Sequence, residues 1–220
     1  RKLAHEIKNP LTPIQLTIDK LKNEYSKKIE TQDEDKFDKG LKIITKQIKQ
    51  IENLVNEFSD FARMPKPILK DNNLVSIINE NINLIKELDS KILIEFNYDN
   101  EKIILNSDYE QLSRVFFNLI KNSIESIQEK RIKNIDFNGK IDIKLNNNTS
   151  NIDFIIIDNG LGFEIFEKNI KNILDPYFTT KEKGTGLGLA IVNKIINDHN
   201  GSINFIPIQD GAKIEINFVK

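Results

Sequence analysis

The chain of 220 residues contains no cysteine, so disulfides and thiolate metal sites are excluded, as fits a reducing compartment. It carries no surplus of basic charge. Lys and Arg number 32 against 33 Asp and Glu, a net charge of -1, and the electrostatic footprint of a nucleic-acid-binding protein is missing. No apolar run is long enough to span a bilayer and no signal peptide opens the sequence, which predicts a soluble chain. Internal repeats and low-complexity tracts are absent as well. Glycine is scarce at nine residues, yet Gly160, Gly162, Gly184, Gly186, Gly188 and Gly201 all fall within one short part of the chain. Such clustering in a glycine-poor sequence points to a site built from loops.

The densest cluster is Lys181-Glu182-Lys183-Gly184-Thr185-Gly186-Leu187-Gly188-Leu189-Ala190-Ile191-Val192. Glycines at alternate positions let the backbone turn tightly and approach a ligand closely. The apolar residues that follow at helical spacing begin a helix, whose first amides lack internal partners and attract anions. Taken alone, such a loop is equally a linker or a tight turn.

What is present along the chain falls into two patterns. Ile7, Leu11, Ile14, Ile18, Leu21 and Tyr25 alternate spacings of four and three, and Phe37, Leu41, Ile44, Ile48, Ile51, Val55, Phe58 and Ala62 repeat them. The acidic stretch from Thr31 to Asp35 suits a turn and a helix start. Two heptad helices with a short connection predict an antiparallel hairpin. Extra apolar positions such as Leu54 and Phe61 call for a further surface, which a homodimeric four-helix bundle supplies. Met64-Pro65-Lys66-Pro67 ends the second helix and sets the expected domains at 1–64 and 65–220.

Beyond the prolines the spacing predicts helices over Leu74–Leu88, Tyr109–Glu129 and Leu187–His199. Strands are predicted over Ile92–Tyr98, Lys102–Leu105, Lys140–Leu145, Ile152–Ile157, Ser202–Ile206 and Ala212–Val219. This interspersion indicates an α+β fold, a two-layer α/β sandwich following the hairpin.

Several polar residues stand out against these patterns. His5 and Asn9 lie one turn apart on the side of the first helix facing away from the seam, so His5 is predicted to be exposed. An exposed imidazole with Glu6 beside it is either a nucleophile with a proton acceptor at hand or an ordinary surface histidine. Pro10 and Pro13 favour the first, because each interior proline costs a helix about 3 kcal/mol. Asn118 and Asn122 are one turn apart on the third helix, opposite its expected core face, and present amide oxygens to a metal or phosphate, or simply to water. Asp158-Asn159-Gly160-Leu161-Gly162 follows an apolar strand, where a carboxylate can accept from an exocyclic amine beside a tight turn, or merely shape an Asp-Asn-Gly turn. Tyr177-Phe178-Thr179-Thr180-Lys181 leads into the glycine loop, with Lys181 available to phosphates. His199, at a helix end before Asn200-Gly201, reads as structural.

Together these stretches resemble the sensor histidine kinases of two-component systems. His5-Glu6-x-x-Asn9-Pro10 resembles that family's H box, Asn118-x-x-x-Asn122 its N box and Asp158-x-Gly160-x-Gly162 its G1 box. Tyr177 to Lys181 resembles its F box, and Gly184-Thr185-Gly186-Leu187-Gly188-Leu189 its G2 box. Motifs in this order cover essentially the whole chain. His5 to Leu16 is further similar to nitrogen-regulation sensor kinases of the NtrY type.

The resemblance implies a dimerisation and phosphotransfer hairpin followed by a Bergerat-type ATP-binding domain. It implies that His5 takes the γ-phosphoryl group of ATP with Glu6 as base, and that Asn9 serves dephosphorylation of a partner response regulator. Asn122 becomes a Mg²⁺ ligand, Asn118 a phosphate contact and Asp158 the acceptor for the adenine amine. Phe178, Thr179, Thr180, Lys181 and the loop Gly184–Leu189 become parts of the lid and phosphate cage. The implied setting is the cytoplasmic portion of a bacterial sensor anchored in the inner membrane by segments outside this chain. Two departures are visible: Glu125-Ser126 stands where many relatives carry a basic residue and an aromatic, and the chain begins only four residues before His5, where the resemblance leads one to expect a first helix extending further upstream. A nucleotide-binding scaffold or phosphatase-dominant switch is the alternative within the same framework. A chaperone or topoisomerase relative has no use for the His5 box.

Overall fold

The computed structural model describes residues 2–25, 31–87, 89–162, 172–179, 181 and 184–220, without the side chains of residues 2–6, 8, 31 and 32. The chain forms two compact units, Arg1–Met64 with Lys181–Leu187, and Pro65–Thr180 with Gly188–Lys220.

In the first unit, α1 (Lys2–Tyr25) and α2 (Thr31–Ala62) form the hairpin. α1 runs unbroken through Pro10 and Pro13. Their missing N–H groups deprive the Glu6 and Asn9 carbonyls of the usual donor four residues on. Burial recurs every seventh residue, at Leu11 and Ile18 on α1 and Leu41, Ile48 and Val55 on α2, all 4–7% exposed. The alternate seam positions Ile7, Ile14, Leu21, Ile44 and Ile51 remain 36–46% exposed. One helix pair covers only one of the two apolar positions in each heptad.

The second unit contains β1 (Lys70–Asn73), α3 (Leu74–Lys86), β2 (Leu93–Tyr98), β3 (Ile104–Ser107), α4 (Tyr109–Lys133), β4 (Lys140–Asn147), β5 (Asn151–Asp158), α5 (Gly188–Asp198), β6 (Gly201–Pro207) and β7 (Ala212–Val219). Five strands form one mixed sheet in the order β2-β4-β5-β7-β6, parallel between β2 and β4 and antiparallel elsewhere. The parallel pair requires a crossover connection, which α4 supplies. β1 and β3 form a separate antiparallel ribbon. The predicted helix over Leu74–Leu88 ends at Lys86, Leu88 itself lies outside the described residues, and α4 continues past Glu129 to Lys133.

β1 was not expected, because Lys70-Asp71-Asn72-Asn73 lacks any apolar alternation. It is held by backbone pairing to β3 and by the Asn72 side-chain amide, which donates to the Ser107 carbonyl at 2.7 Å. The core lies between one face of the large sheet and the helices. Phe116 of α4 meets Phe154 of β5 with ring centroids 4.9 Å apart, and both are fully buried. No described helix is long and apolar enough to cross a membrane.

Candidate functional site

Alternation along β5 determines the chemistry at its end. Ile152, Phe154 and Ile156 point into the core, and the same period of two carries Asp158 to that buried face. Its carboxyl group is 5% exposed. The Gly160 N–H donates to Oδ1 at 2.9 Å, and the Ser123 hydroxyl and Ala212 N–H lie near enough to favour the charged form. Burial pushes the Asp158 carboxyl up from the usual Asp value, while these donors and the charge of Lys130 pull the other way. A carboxylate offers about four lone-pair sites, so three donors leave room for another.

The turn after Asp158 depends on glycine because backbone meets backbone there. Gly162 has φ +72°, and a Cβ on it would lie 2.2 Å from the Gly211 carbonyl oxygen. A Cβ on Gly160 would lie 2.3 Å from the Ser126 hydroxyl oxygen, which accepts from the Leu161 N–H at 2.9 Å. Lys130 Nζ donates to the Asn159 carbonyl at 2.9 Å and closes the other side. Ser126 therefore anchors this turn, which gives a physical use to the position that departs from the expected pattern.

Asn118, Asn122 and Ser126 form one stripe along α4 at intervals of four residues. Both asparagines are half-buried beside Leu119 and Ser123, so they flank the core face; the expectation that they oppose it is corrected. Neither side-chain amide hydrogen-bonds another described residue. The stripe runs to the Asp158–Gly162 turn through Ser126, and Ser123 on the adjacent row lies beside Asp158 itself. Two amides, a buried carboxylate and a glycine turn are thus brought together within the second unit.

The remaining candidates lie elsewhere or outside the description. The segment Lys181–Leu187 belongs to the hairpin unit, where the Thr185 hydroxyl donates to the Glu57 carboxylate on α2. Gly186 adopts φ +70°, Leu187 is buried, and Gly188 opens α5 with nothing within 4 Å of a built Cβ. Gly184 is exposed, whereas Lys181 and Leu189 are half-buried. Phe178 is half-buried and Thr179 exposed, while Tyr177 holds φ +71°, an unfavourable conformation for a bulky residue. Thr180, together with residues 163–171, 182 and 183, lies outside the described residues. The backbone of His5 and Glu6 is helical, their side chains lie outside the description, and Asn9 is exposed.

His199 is structural. Its buried ring donates from Nδ1 to the Ile195 carbonyl at 2.7 Å and accepts at Nε2 from the Asp108 N–H at 2.9 Å, so both nitrogens are engaged. Sequence reasoning missed Ser123, Ser126, Lys130 and Gly211. Ser126 left a signal as part of the Glu125-Ser126 departure, and Gly211 left one as the Asp210-Gly211 turn, where φ is +115° and a Cβ would strike the Asp158 carbonyl oxygen at 1.8 Å.

Comparisons with known proteins divide the chain in two. Residues 107–220 match the family described as histidine kinase-, DNA gyrase B- and HSP90-like ATPase, and residues 1–67 match the His Kinase A (phospho-acceptor) domain. The nitrogen regulation protein NtrY of Azorhizobium caulinodans is 38% identical over 98% of this chain and 28% of its own length. The putative sensor histidine kinase NtrY-like of Rickettsia felis is 36% identical over 99% of this chain and 35% of its own length, so the chain spans about a third of such relatives. Among solved structures, the catalytic domain of histidine kinase ThkA superposes with a TM-score of 0.61 at 30% identity, covering 69% of this chain and 95% of that domain. ThkA in complex with response regulator protein TrrA gives 0.67 at 28% identity, covering 100% of this chain and 60% of the ThkA chain.

Proposed function

Because the chain belongs to the sensor histidine kinases of two-component systems, we propose that it is an ATP-dependent histidine autokinase that phosphorylates His5 and passes the group to an aspartate of a response regulator's receiver domain. Residues 1–64 act as the dimerisation and phosphotransfer domain and residues 65–220 as the catalytic ATP-binding domain. The observation that carries this reading is the Asp158 carboxylate, buried, held by the Gly160 N–H and bordered by the Asn118–Asn122 stripe.

Asp158 accepts from the adenine amine, and its fixed partners hold the carboxylate oriented before the base arrives. Asn118 contacts phosphate. Asn122 offers a half-exposed amide oxygen, a hard donor suited to Mg²⁺, which when bound neutralises charge on the phosphates. Lys181, Thr179, Thr180 and the amides from Gly184 to Leu189 add donors to the phosphates, and Phe178 anchors the lid. A ring nitrogen of His5 forms the new P–N bond as the bond from the γ-phosphorus to the ADP oxygen breaks, and Glu6 takes the imidazole proton. Most of the acceleration in such a transfer comes from positioning and charge neutralisation.

The exposed half of the hairpin seam supports a homodimer. Asn9, exposed one turn after His5, serves phosphatase action on the regulator. The short span relative to NtrY-type sensors supports a cytoplasmic portion of a longer, membrane-anchored bacterial protein with a nitrogen-related role.

Incubation of the chain with γ-labelled ATP tests the reading. An acid-labile, base-stable label lost in His5→Gln is expected, and equal labelling of that variant refutes His5 as acceptor. Nucleotide binding without any label, with regulator dephosphorylation dependent on Asn9, would replace the autokinase by a phosphatase-dominant switch.

A further inference from the structure

The second unit begins with a strap that the nucleotide reading does not use. After the helix-ending prolines the chain runs across the first turn of α4, and two side chains of that turn hold it. The Gln111 amide donates from Nε2 to the Pro65 carbonyl at 3.0 Å, and the Ile68 N–H donates to Asp108 Oδ2 at 2.8 Å. Asp108 is also the N-cap of α4: its Oδ1 accepts from the Gln111 N–H at 3.0 Å, and its own N–H is fixed by His199. Ribbon pairing of Lys70 with Ser107 continues the strap.

One atom in this arrangement is out of place for a purely structural anchor. Gln111 is only 8% exposed, and its Oε1 is buried without a hydrogen-bond partner among the described residues. Leaving a buried acceptor unmade is unfavourable, and an apolar side chain of the same length would avoid it. The amide is retained where its donor reaches the Pro65 carbonyl, just beyond the end of α2 at Ala62. Pro67 restricts Lys66 to extended backbone, so fixing the Pro65 carbonyl fixes the direction of the chain there. The same α4 carries Asn118 and Asn122 two and three turns further on.

We propose that Gln111 is a positioning residue for autophosphorylation: its clamp on Pro65 sets the path between the α2 helix of the hairpin and the helix that presents the nucleotide amides, and so sets the delivery of the phosphoryl group to His5. This deepens the kinase reading and rests on it. Gln111 touches neither nucleotide nor His5 in this account, so it governs rate and leaves affinity alone.

The test compares wild type with Gln111→Met, which keeps length and loses the donor. The binding stoichiometry and Kd of a non-hydrolysable ATP analogue are measured by calorimetry, and the initial rate of His5 labelling is expressed per binding-competent chain. A 1 Å misplacement of reacting groups can cost about 100-fold. The clamp therefore predicts a rate at least about tenfold lower with Kd unchanged within about twofold. Ile68→Pro removes the second strap's donor at an exposed residue, needs no change inside the core, and is expected to slow labelling in the same way. Wild-type rates in both variants overturn the clamp alone. Rate and affinity falling together also overturn it, because Gln111 would then act on the pocket. A wild type that binds the analogue and takes no label from ATP overturns the kinase reading and the clamp with it.

Discussion

The hairpin and the sandwich solve the burial problem in opposite ways. In the sandwich, α4 and β5 turn every core position inward, and Phe116, Phe154 and Phe218 are fully covered. In the hairpin Leu11, Ile18, Leu41, Ile48 and Val55 are buried, while Ile14, Ile44 and Ile51 face outward. The difference teaches that the second unit can order a site by itself, whereas the first is complete only against another surface. A buried acceptor such as Asp158 needs the closed core. His5, the proposed phosphoryl acceptor, lies on the open one.

Substitution in the closed core is the most severe way to sharpen that contrast. Phe154→Ala should cost the sandwich about 3–5 kcal/mol, measured by denaturant unfolding of the chain, and abolish nucleotide binding; a loss under 1 kcal/mol would mean the core is looser than described. Next comes the open seam. Ile14→Glu with Ile51→Glu removes apolar surface worth about 1.5–3 kcal/mol per side chain where a partner covers it. Light scattering should then report monomers in place of dimers, with the sandwich transition unmoved. Dimers of unchanged affinity would break the comparison, since the exposed seam would have no partner.

A smaller effect is expected at the turn. Gly162→Ala forces a left-handed backbone on a residue with a Cβ and presses it toward Gly211, a cost of about 1–3 kcal/mol in sandwich unfolding. Unaltered stability would show that the close approach relaxes freely. The smallest effect concerns Asp158. Its folded-state value is raised by burial, so the unfolded state ionises first as pH rises. The stability of wild type relative to Asp158→Asn should therefore be greatest below the unfolded value of about 3.9 and decline as pH rises through the folded value. A difference that grows with pH would reverse the assignment.

The comparison also explains what was legible in the sequence. Heptads showed the hairpin because a repeat of apolar residues is local, and the alternation of Ile152 to Ile157 showed β5 for the same reason. Asp158 could be placed at that strand's end, but its burial came only with the register that aligns it with Ile156. Ser123 was invisible, and Ser126 was visible only as a departure whose use could not be read: a serine in a helix carries no pattern, and its use depends on which turn packs over it. The ribbon strand β1 was missed because backbone pairing, with no apolar face, defines it. The glycines at 160 and 162 were legible as a tight turn beside Asp158, but the groups they admit, Ser126 and the Gly211 backbone, depend on which elements pack there.

The central claim is that the buried Asp158 carboxylate reads the amine of adenine. Calorimetric titration with ATP and with inosine triphosphate, which replaces that amine by a carbonyl, tests it most directly, because a site built around a hydrogen-bonding group rejects the analogue lacking it. ATP should bind at least about 100-fold more tightly than inosine triphosphate, with the preference lost in Asp158→Asn. Equal affinity for the two nucleotides in the wild-type chain would contradict the account.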